Sequence, residues 1–234
     1  MRAFTSLLGH ILGSHPIING YFELHISYDA PSALSKQLAE LSKHEAVKDH
    51  SRYLFDKLLH NDYRLMPERL GIDDIKILVC LRDPRHSIKS IVNLFAQKQT
   101  DDPYERPEEA TRYYIERIAH LCDFCSSHTR GYYYFDAEAV RQAPERLLSA
   151  LARWLDLDSP LSDRYNTFSQ TGKPRKGDSS PLIHSGEIDQ SASDYSHVLL
   201  PRQLLQRATS AYREYRQTMI DNAGDRIIAR HDLT

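Results

Sequence analysis

The sequence predicts an α/β domain, a parallel sheet flanked by helices, and three observations carry that expectation. The stretch "IKILVCL" (75–81) is an almost unbroken apolar run, as a parallel strand covered on both faces requires. Short apolar or aromatic stretches alternate along the chain with amphipathic helical patterns, the order of a doubly wound sheet. The chain also opens on a small, hydroxyl-rich turn, "RAFTS", that runs straight into a helical pattern with no strand before it. The sheet is therefore expected to lack the strand that normally leads into such a turn.

Taken in order, Leu7, Leu8, Ile11 and Leu12 recur at helical spacing, with a stop near Gly13 to Pro16. "INGYFELHIS" (18–27) is turn-led and aromatic and reads as a strand or an extended segment. "PSALSKQLAELSKHEAVKDH" (31–50) is a polar amphipathic helix, "RYLFDKLL" (52–59) a short strand, and "DYRLMPERLG" (62–71) a helix with a glycine stop. After the strand at 75–81, Asp83-Pro84 starts a helix through "HSIKSIVNLFAQK". A loop, "DDPYERPEE", leads into a long helix from about 107 to 128. "GYYYFD" (131–136) is another strand, and "PERLLSALARWLDL" (144–157) a helix whose apolar face carries Leu147, Leu148, Leu151, Trp154 and Leu155. Residues 159–193 turn to Pro, Gly, Ser and Lys/Arg without periodicity, and a final helix covers about 201–222. A long unpatterned loop inside a compact domain points to function.

At 234 residues the chain is expected to form one domain, 1–234. A formal net charge of -2 gives no global attraction to nucleic acid or to an anionic membrane, so any anion site has to be local. Three cysteines, Cys80, Cys122 and Cys125, make no disulfide framework, no Asn-x-Ser/Thr sequon occurs, and no signal segment is read. A cytoplasmic setting is expected, and the longest apolar run is too short to span a bilayer. "HLCDFCSSH" (120–128) could be mistaken for a zinc site, but four ligands on one continuous helix cannot close a tetrahedron, so no metal is expected.

In an open α/β sheet, ligands collect at the carboxyl ends of the strands, where the opening turn, "DKLLHND" and "RDPRHSIKS" all fall. In the last of these Arg82 ends the buried strand, and Ser90 lies eight residues on, about two helical turns away. A guanidinium fork and a hydroxyl so placed can hold a phosphate. The alternative is an arginine that closes the strand end and a serine facing a neighbouring helix.

With Pro84 between them, these residues form the R-x-P-x-x-x-x-x-S stretch of the sulfotransferases that use 3′-phosphoadenosine 5′-phosphosulfate (PAPS), which the chain resembles over most of its length. "RAFTSLLGHILGSHP" is similar to the family's 5′-phosphosulfate loop, "DKLLHN" to its DK-P-x-N stretch, "YYYFDAEAVRQAPERLLSALARWLDL" to its strand, acidic turn and helix, and "TGKPRKGDSSPLIHSGEI" to its late basic loop. The resemblance implies a P-loop-like sulfotransferase fold and transfer of a sulfuryl group from PAPS to a hydroxyl or amine, leaving adenosine 3′,5′-bisphosphate (PAP). It implies the 3′-phosphate at Arg82 and Ser90 and the 5′-phosphosulfate at Arg2, Thr5 and Ser6. Lys57 takes the place of the family's lysine, and Arg175, Lys176 and Gly177 that of the loop closing over the nucleotide.

Sulfuryl transfer needs cradled phosphates, a cation at the leaving oxygen and a base for the acceptor proton. A helix N-terminus with Thr5 and Ser6 suits the first, unless those hydroxyls merely cap the helix. Lys57 suits the second, unless it is a solvated partner of Asp56 or Asp62. "GYFELH" supplies Glu23 as the base, placed twenty-one residues after Arg2 as in several carbohydrate and tyrosine sulfotransferases, with His25 as the other candidate. Arg175 and Lys176 could equally be a solvated charge run.

Two departures from the family favour a second reading, a catalytically impaired nucleotide-binding or scaffold protein. Phe4 replaces the loop glycine and Ala3 the serine before it, although glycine there lets the backbone approach phosphate or take a positive φ. The absent strand is the other; the natural reading frame is expected to begin upstream and supply it, the alternative being an empty slot and weak PAPS binding. A nucleotide kinase is disfavoured because no G-x-x-x-x-G-K-[ST] loop is present. The acceptor, a small molecule or a glycan, is not written in the sequence, although Tyr21, Tyr28, Tyr104 and Tyr113 could line a pocket. Oligomeric state stays open.

Overall fold

The computed structural model describes residues 2–98, 100–128, 131–173, 176, 181–191 and 194–229. In chain order its elements are α1 (Thr5–Ser14), β1 (Ile18–Asn19), α2 (Ser32–Ser42), β2 (Tyr53–Leu54), β3 (Leu78–Leu81), α3 (Pro84–Ala96), α4 (Pro107–Ser127), β4 (Tyr133–Asp136), α5 (Ala139–Gln142), α6 (Pro144–Trp154), α7 (Arg202–Asp221) and β5 (Asp225–Ile227). Short 3₁₀ turns lie at Pro67–Arg69, Pro103–Glu105 and Pro181–His184. Among the described residues no helix is long and apolar enough to cross a membrane. The chain divides into two compact units, Phe4–Lys76 with Ala143–Gln190, and Met1–Ala3 with Ile77–Gln142 and Ser191–Thr234.

In the unit that contains α1, β1 and β2 pair in parallel, Ile18 opposite Tyr53 and Asn19 opposite Leu54. The helical spacing of Leu8, Ile11 and Leu12 buries one face of α1. That helix lies very close to the chain after β1, because a Cβ on Gly9 would come within 2.5 Å of the Tyr21 carbonyl oxygen. Gly20 turns the chain there at φ +94°, with its Cα so near Phe55 that a Cβ would lie 2.2 Å from the Phe55 carbonyl oxygen. Lys48 closes the helix end, its Nζ donating to the carbonyls of Gly13, His15 (2.9 Å) and Ile18 (2.7 Å). Charge-assisted bonds of this kind contribute about 1.5–3 kcal/mol each. Beyond β1 the chain forms neither helix nor strand until a parallel bridge joins Tyr28 to Leu65. Tyr21, Phe22, Leu24 and Leu41 form one apolar cluster, and Tyr28, Ala33 and Leu70 a second.

Two sequence expectations are corrected in this unit. The helix expected over 62–71 is only the 3₁₀ turn Pro67–Arg69, because Pro67 excludes helix from Met66 and the Tyr28 backbone pairs with the Arg64 carbonyl (2.7 Å) and the Met66 amide (2.8 Å). The helix expected over 31–50 ends at Ser42, and the segment after it is drawn instead to β1, where the Lys48 amide donates to Asn19 Oδ1 at 3.0 Å. In α6, Leu147, Leu148 and Leu151, together with Leu155 just after it, are buried as the periodicity requires. Trp154, expected on the same face, is half-buried under the Lys76 ammonium, 5.6 Å from the ring centroid.

The other unit holds a three-stranded parallel sheet in the order β3-β4-β5. Every residue of β4 is buried, which suits its central position. Helices α3, α4 and α7 pack on one another, contributing Ile88, Ile91, Ala110, Ile118, Tyr212 and Met219 to the core. Asp136, at the carboxyl end of β4 and fully buried, is met by four donors: Arg216 Nε (2.8 Å) and Nη2 (2.6 Å), the Tyr134 hydroxyl (2.8 Å) and the Ala229 amide (2.9 Å). The carboxylate thus ties α7 and the segment after β5 to the central strand. Cys122 and Cys125 are buried on α4, and burial pushes the Cys125 thiol up to about 12. Two elements escape the sequence pattern. The turn of helix at Ala139–Gln142 is too short to show a period, and β5 carries exposed Asp225 and Arg226 ahead of one buried residue, Ile227.

Candidate functional site

The sequence-predicted residues form two constellations, one in each unit. The first lies where β3 gives way to α3. Asp83 caps α3, its carboxylate accepting the His86 amide at 3.2 Å, and Pro84 opens the helix. This junction leaves Arg82 just beyond the last residue of β3 and Ser90 two turns into α3, 7 % and 1 % exposed respectively. Arg2 Nε donates to Ser90 Oγ at 2.9 Å, and Arg82 Nη1 donates to the Arg2 carbonyl at 2.8 Å. The Tyr195 hydroxyl lies 3.1 Å from Ser90 Oγ, and the Lys89 ammonium holds the Tyr195 carbonyl at 3.1 Å. Arg2, expected beside Thr5 and Ser6, is thus brought to Ser90, and Tyr195 joins the set without any warning in the sequence.

Burial lowers the pKa of Arg82, but a guanidinium starts so high that it stays charged at neutral pH. Glu138, whose carboxylate accepts the Asp83 amide at 3.0 Å, is raised by burial despite that bond. The Arg2 guanidinium and the Tyr195 hydroxyl therefore meet at the buried Ser90 hydroxyl, and the buried Arg82 guanidinium is held on the Arg2 backbone beside them. That donor set suits a phosphate dianion.

The second constellation is built on α1 and the segments after β1 and β2. Phe4, the residue before α1, has φ 54° and ψ 17°, the left-handed conformation that glycine adopts freely and phenylalanine does not. The turn therefore keeps the backbone shape a glycine would give it, at a steric cost of about 1–2 kcal/mol. Thr5 and Ser6 occupy the first helical positions, and no side chain caps the helix, so the capping alternative for their hydroxyls is not realised. Lys57, 5 % exposed, reaches Ser6 Oγ with Nζ at 3.3 Å. Lys57 and Ser6 are thereby brought together across fifty-one residues of sequence.

Asp56 sets the geometry here. Its Oδ1 accepts the amides of Leu24 (3.0 Å) and Lys57 (2.6 Å), and its Oδ2 accepts the Tyr28 hydroxyl (2.7 Å). These bonds fix the segment that carries Glu23 against the one that carries Lys57. Glu23 is 4 % exposed, and its Oε1 lies 3.7 Å from His25 Nδ1 and 3.6 Å from His60 Nε2. His25 takes a left-handed φ of 59°, and its ring packs 5.5 Å from that of Tyr63. His60 is a member the sequence reading passed over, although it stands within "DKLLHND".

The start of the late loop is anchored on the same unit. Phe168 stacks on Tyr21 at 4.3 Å, the Gln170 amide donates to the Tyr21 hydroxyl at 2.8 Å, and Thr171 Oγ1 meets His10 Nε2 at 2.9 Å. His10, also unforeseen, is buried in α1 with its Nδ1 2.8 Å from the Ser6 carbonyl. Lys176 places its ammonium 4.9 Å from the centroid of the Phe22 ring. Arg175 and Gly177 lie outside the described residues. No group of three His, Cys, Asp or Glu side chains that could hold a metal occurs among the described residues.

No family model and no curated protein sequence matches the chain. Among solved structures it is similar to the sulfotransferase domain from the curacin biosynthetic pathway, with a TM-score of 0.56 and 17 % identity over 89 % of this chain and 93 % of that one. The likeness is one of fold, and it makes the architecture of this chain sulfotransferase-like.

Two predictions follow from the second constellation. Burial pushes the Asp56 carboxyl from 3.8 up to about 6, against the lowering effect of its three donors. A carboxyl raised on folding adds stability that is fully present below about pH 4 and is lost as the pH rises through about 6. Asp56→Asn keeps an acceptor oxygen and cannot ionise. The unfolding free energy of the wild type relative to this variant is therefore expected to fall between about pH 4 and pH 6 and then level off. Urea titrations across that range measure it, and a pH-independent difference would overturn the assignment. For the opening turn, glycine at position 4 is expected to outrank alanine in melting temperature, with Phe4→Gly more stable than Phe4→Ala by about 1 kcal/mol, the reverse of the usual order at negative φ. Alanine as the more stable of the two would show that Phe4 is not held left-handed.

Proposed function

We propose that the protein transfers a sulfuryl group from PAPS to the hydroxyl or amine of a small-molecule or glycan acceptor. The observation that carries this reading is the convergence of Arg2, Arg82 and Ser90 at the junction of β3 and α3. The half-buried Arg2 guanidinium on the Ser90 hydroxyl, with the buried Arg82 guanidinium held on the Arg2 backbone, supplies the charge and donors for the nucleotide's 3′-phosphate. Thr5, Ser6 and the free amides of the first turn of α1 suit the 5′-phosphosulfate, a role that the left-handed backbone at Phe4 leaves open to them. PAPS supplies an electrophilic sulfur and a phosphate leaving group. Lys57, already on Ser6, offers its ammonium to the charge that grows on the leaving oxygen. Glu23 accepts the acceptor's proton, with His25 beside it. Lys176, with Arg175 and Gly177, belongs to the loop assigned to the nucleotide. Three free cysteines suit a cytoplasmic setting.

The phenylalanine side chain at the opening turn favours a second reading, a domain that binds nucleotide without turning it over. One set of measurements separates the two. Calorimetry with PAP is expected to show binding to the wild type and a ten- to hundred-fold loss, roughly, in Arg82→Ala, given about 1.5–3 kcal/mol for a charge-assisted phosphate contact. With radiolabelled PAPS and a panel of phenols, alcohols and glycans, Glu23→Gln is expected to lower turnover by about 10² to 10⁴ while PAP affinity persists. Binding with no transfer to any acceptor would support the second reading, and no binding at all would reject both.

A further inference from the structure

The Glu23 carboxylate raises a problem of proton disposal. It is 4 % exposed, and its Oε1 has no hydrogen-bond partner. A base that takes a proton in such a place becomes a neutral acid with little water near it, and it has to lose that proton before it can work again. Two imidazole nitrogens bracket this same oxygen from different segments. His25 Nδ1, two residues along the chain from Glu23, stands at 3.7 Å, and His60 Nε2, three residues beyond Lys57, at 3.6 Å. The two rings lie 6.5 Å apart. The His60 side chain is 34 % exposed, the His25 side chain 26 % and that of Glu23 6 %, so His60 is the more open of the two routes outward. Of the other groups nearby, Asp56 feels the Glu23 charge, Tyr63 packs on His25, and Lys57 is engaged with Ser6.

We infer that His60 carries the proton from Glu23 to solvent, an inference that rests on the sulfuryl-transfer reading. As the acceptor oxygen attacks sulfur, its O–H bond breaks and the proton passes to Glu23 Oε1. The bond between sulfur and the bridging phosphate oxygen breaks, and its electron pair stays on that oxygen. The proton then moves from Glu23 to the lone pair of His60 Nε2, and the imidazolium yields a proton to water. Both groups return to their starting charge. His60 touches neither the acceptor nor the donor in this scheme and acts through Glu23. Imidazole suits the task because its ordinary pKa lies near neutrality, where it both accepts and releases protons readily.

The coupling can be measured without donor or acceptor. By nuclear magnetic resonance of the nucleotide-free protein, Glu23→Gln is expected to lower the titration midpoint of the His60 ring by about half a unit to one unit, because an adjacent carboxylate favours the imidazolium. In turnover, His60→Gln is expected to lower kcat roughly ten- to a hundred-fold with PAP affinity unchanged, and added imidazole to restore part of the loss in His60→Ala. The effect of His25→Gln should be the smaller. An unmoved His60 midpoint, wild-type kcat in His60→Gln, or a larger loss in His25→Gln would each overturn the relay. Failure of the wild type to bind PAP would remove the sulfuryl-transfer reading and the relay with it, whereas binding and transfer with unaltered His60 variants removes the relay alone.

Discussion

Asp56 is the constraint on which the second constellation hangs. Its carboxylate gathers two backbone amides and a tyrosine hydroxyl from three points of the chain, holding Glu23 and Lys57 in place where ladder hydrogen bonds are too few to do so. β1 and β2 have two residues each, and a pair that short cannot orient the segments leaving it. Burying the carboxylate is unfavourable, which is why its pKa rises even with three donors on it. Lys48 at the end of α1 and Asp136 at the end of β4 repeat the device, a charged group collecting backbone or side-chain partners where regular structure runs out.

The same shortness explains which parts of the fold the sequence reveals. β3, β4, α3, α4, α6 and α7 declare themselves, because burial on two faces or on one helical stripe leaves an apolar pattern long enough to read. β5 does not, since a three-residue strand with two exposed polar residues has no pattern to show. Residues 62–71 carry a helix-like composition, yet their backbone groups are taken by Tyr28, a partner more than thirty residues away that no local window contains.

The candidate site residues divide along a similar line. Arg82 and Ser90 are readable because one strand-to-helix junction fixes their separation, and Ser6, Lys57 and Glu23 because each stands in a motif with its own spacing. The sequence neighbours of Arg2 place it with Thr5 and Ser6, whereas its long side chain reaches Ser90, eighty-eight residues away. His10, His60 and Tyr195 were missed for a common reason. Each is a single polar residue in an unremarkable stretch, and its significance comes wholly from what the fold brings beside it. Phe4 is instructive in the opposite sense: the residue is foreign to its position, and the backbone conformation is not.

The close approach of α1 to the chain after β1 bears on how this domain can drift in sequence. At Gly9 and Gly20 even one added methyl group would meet a carbonyl oxygen at 2.5 Å or less, and those oxygens belong to the backbone, which has no rotamer by which to step aside. Most core positions accept a neighbour of different size if another shrinks to compensate. No such compensation exists between two main chains. The spacing of α1 from the chain after β1, and of that chain from Phe55, is thereby independent of side-chain choice, and these glycines stay fixed whatever side chains the rest of the unit exchanges.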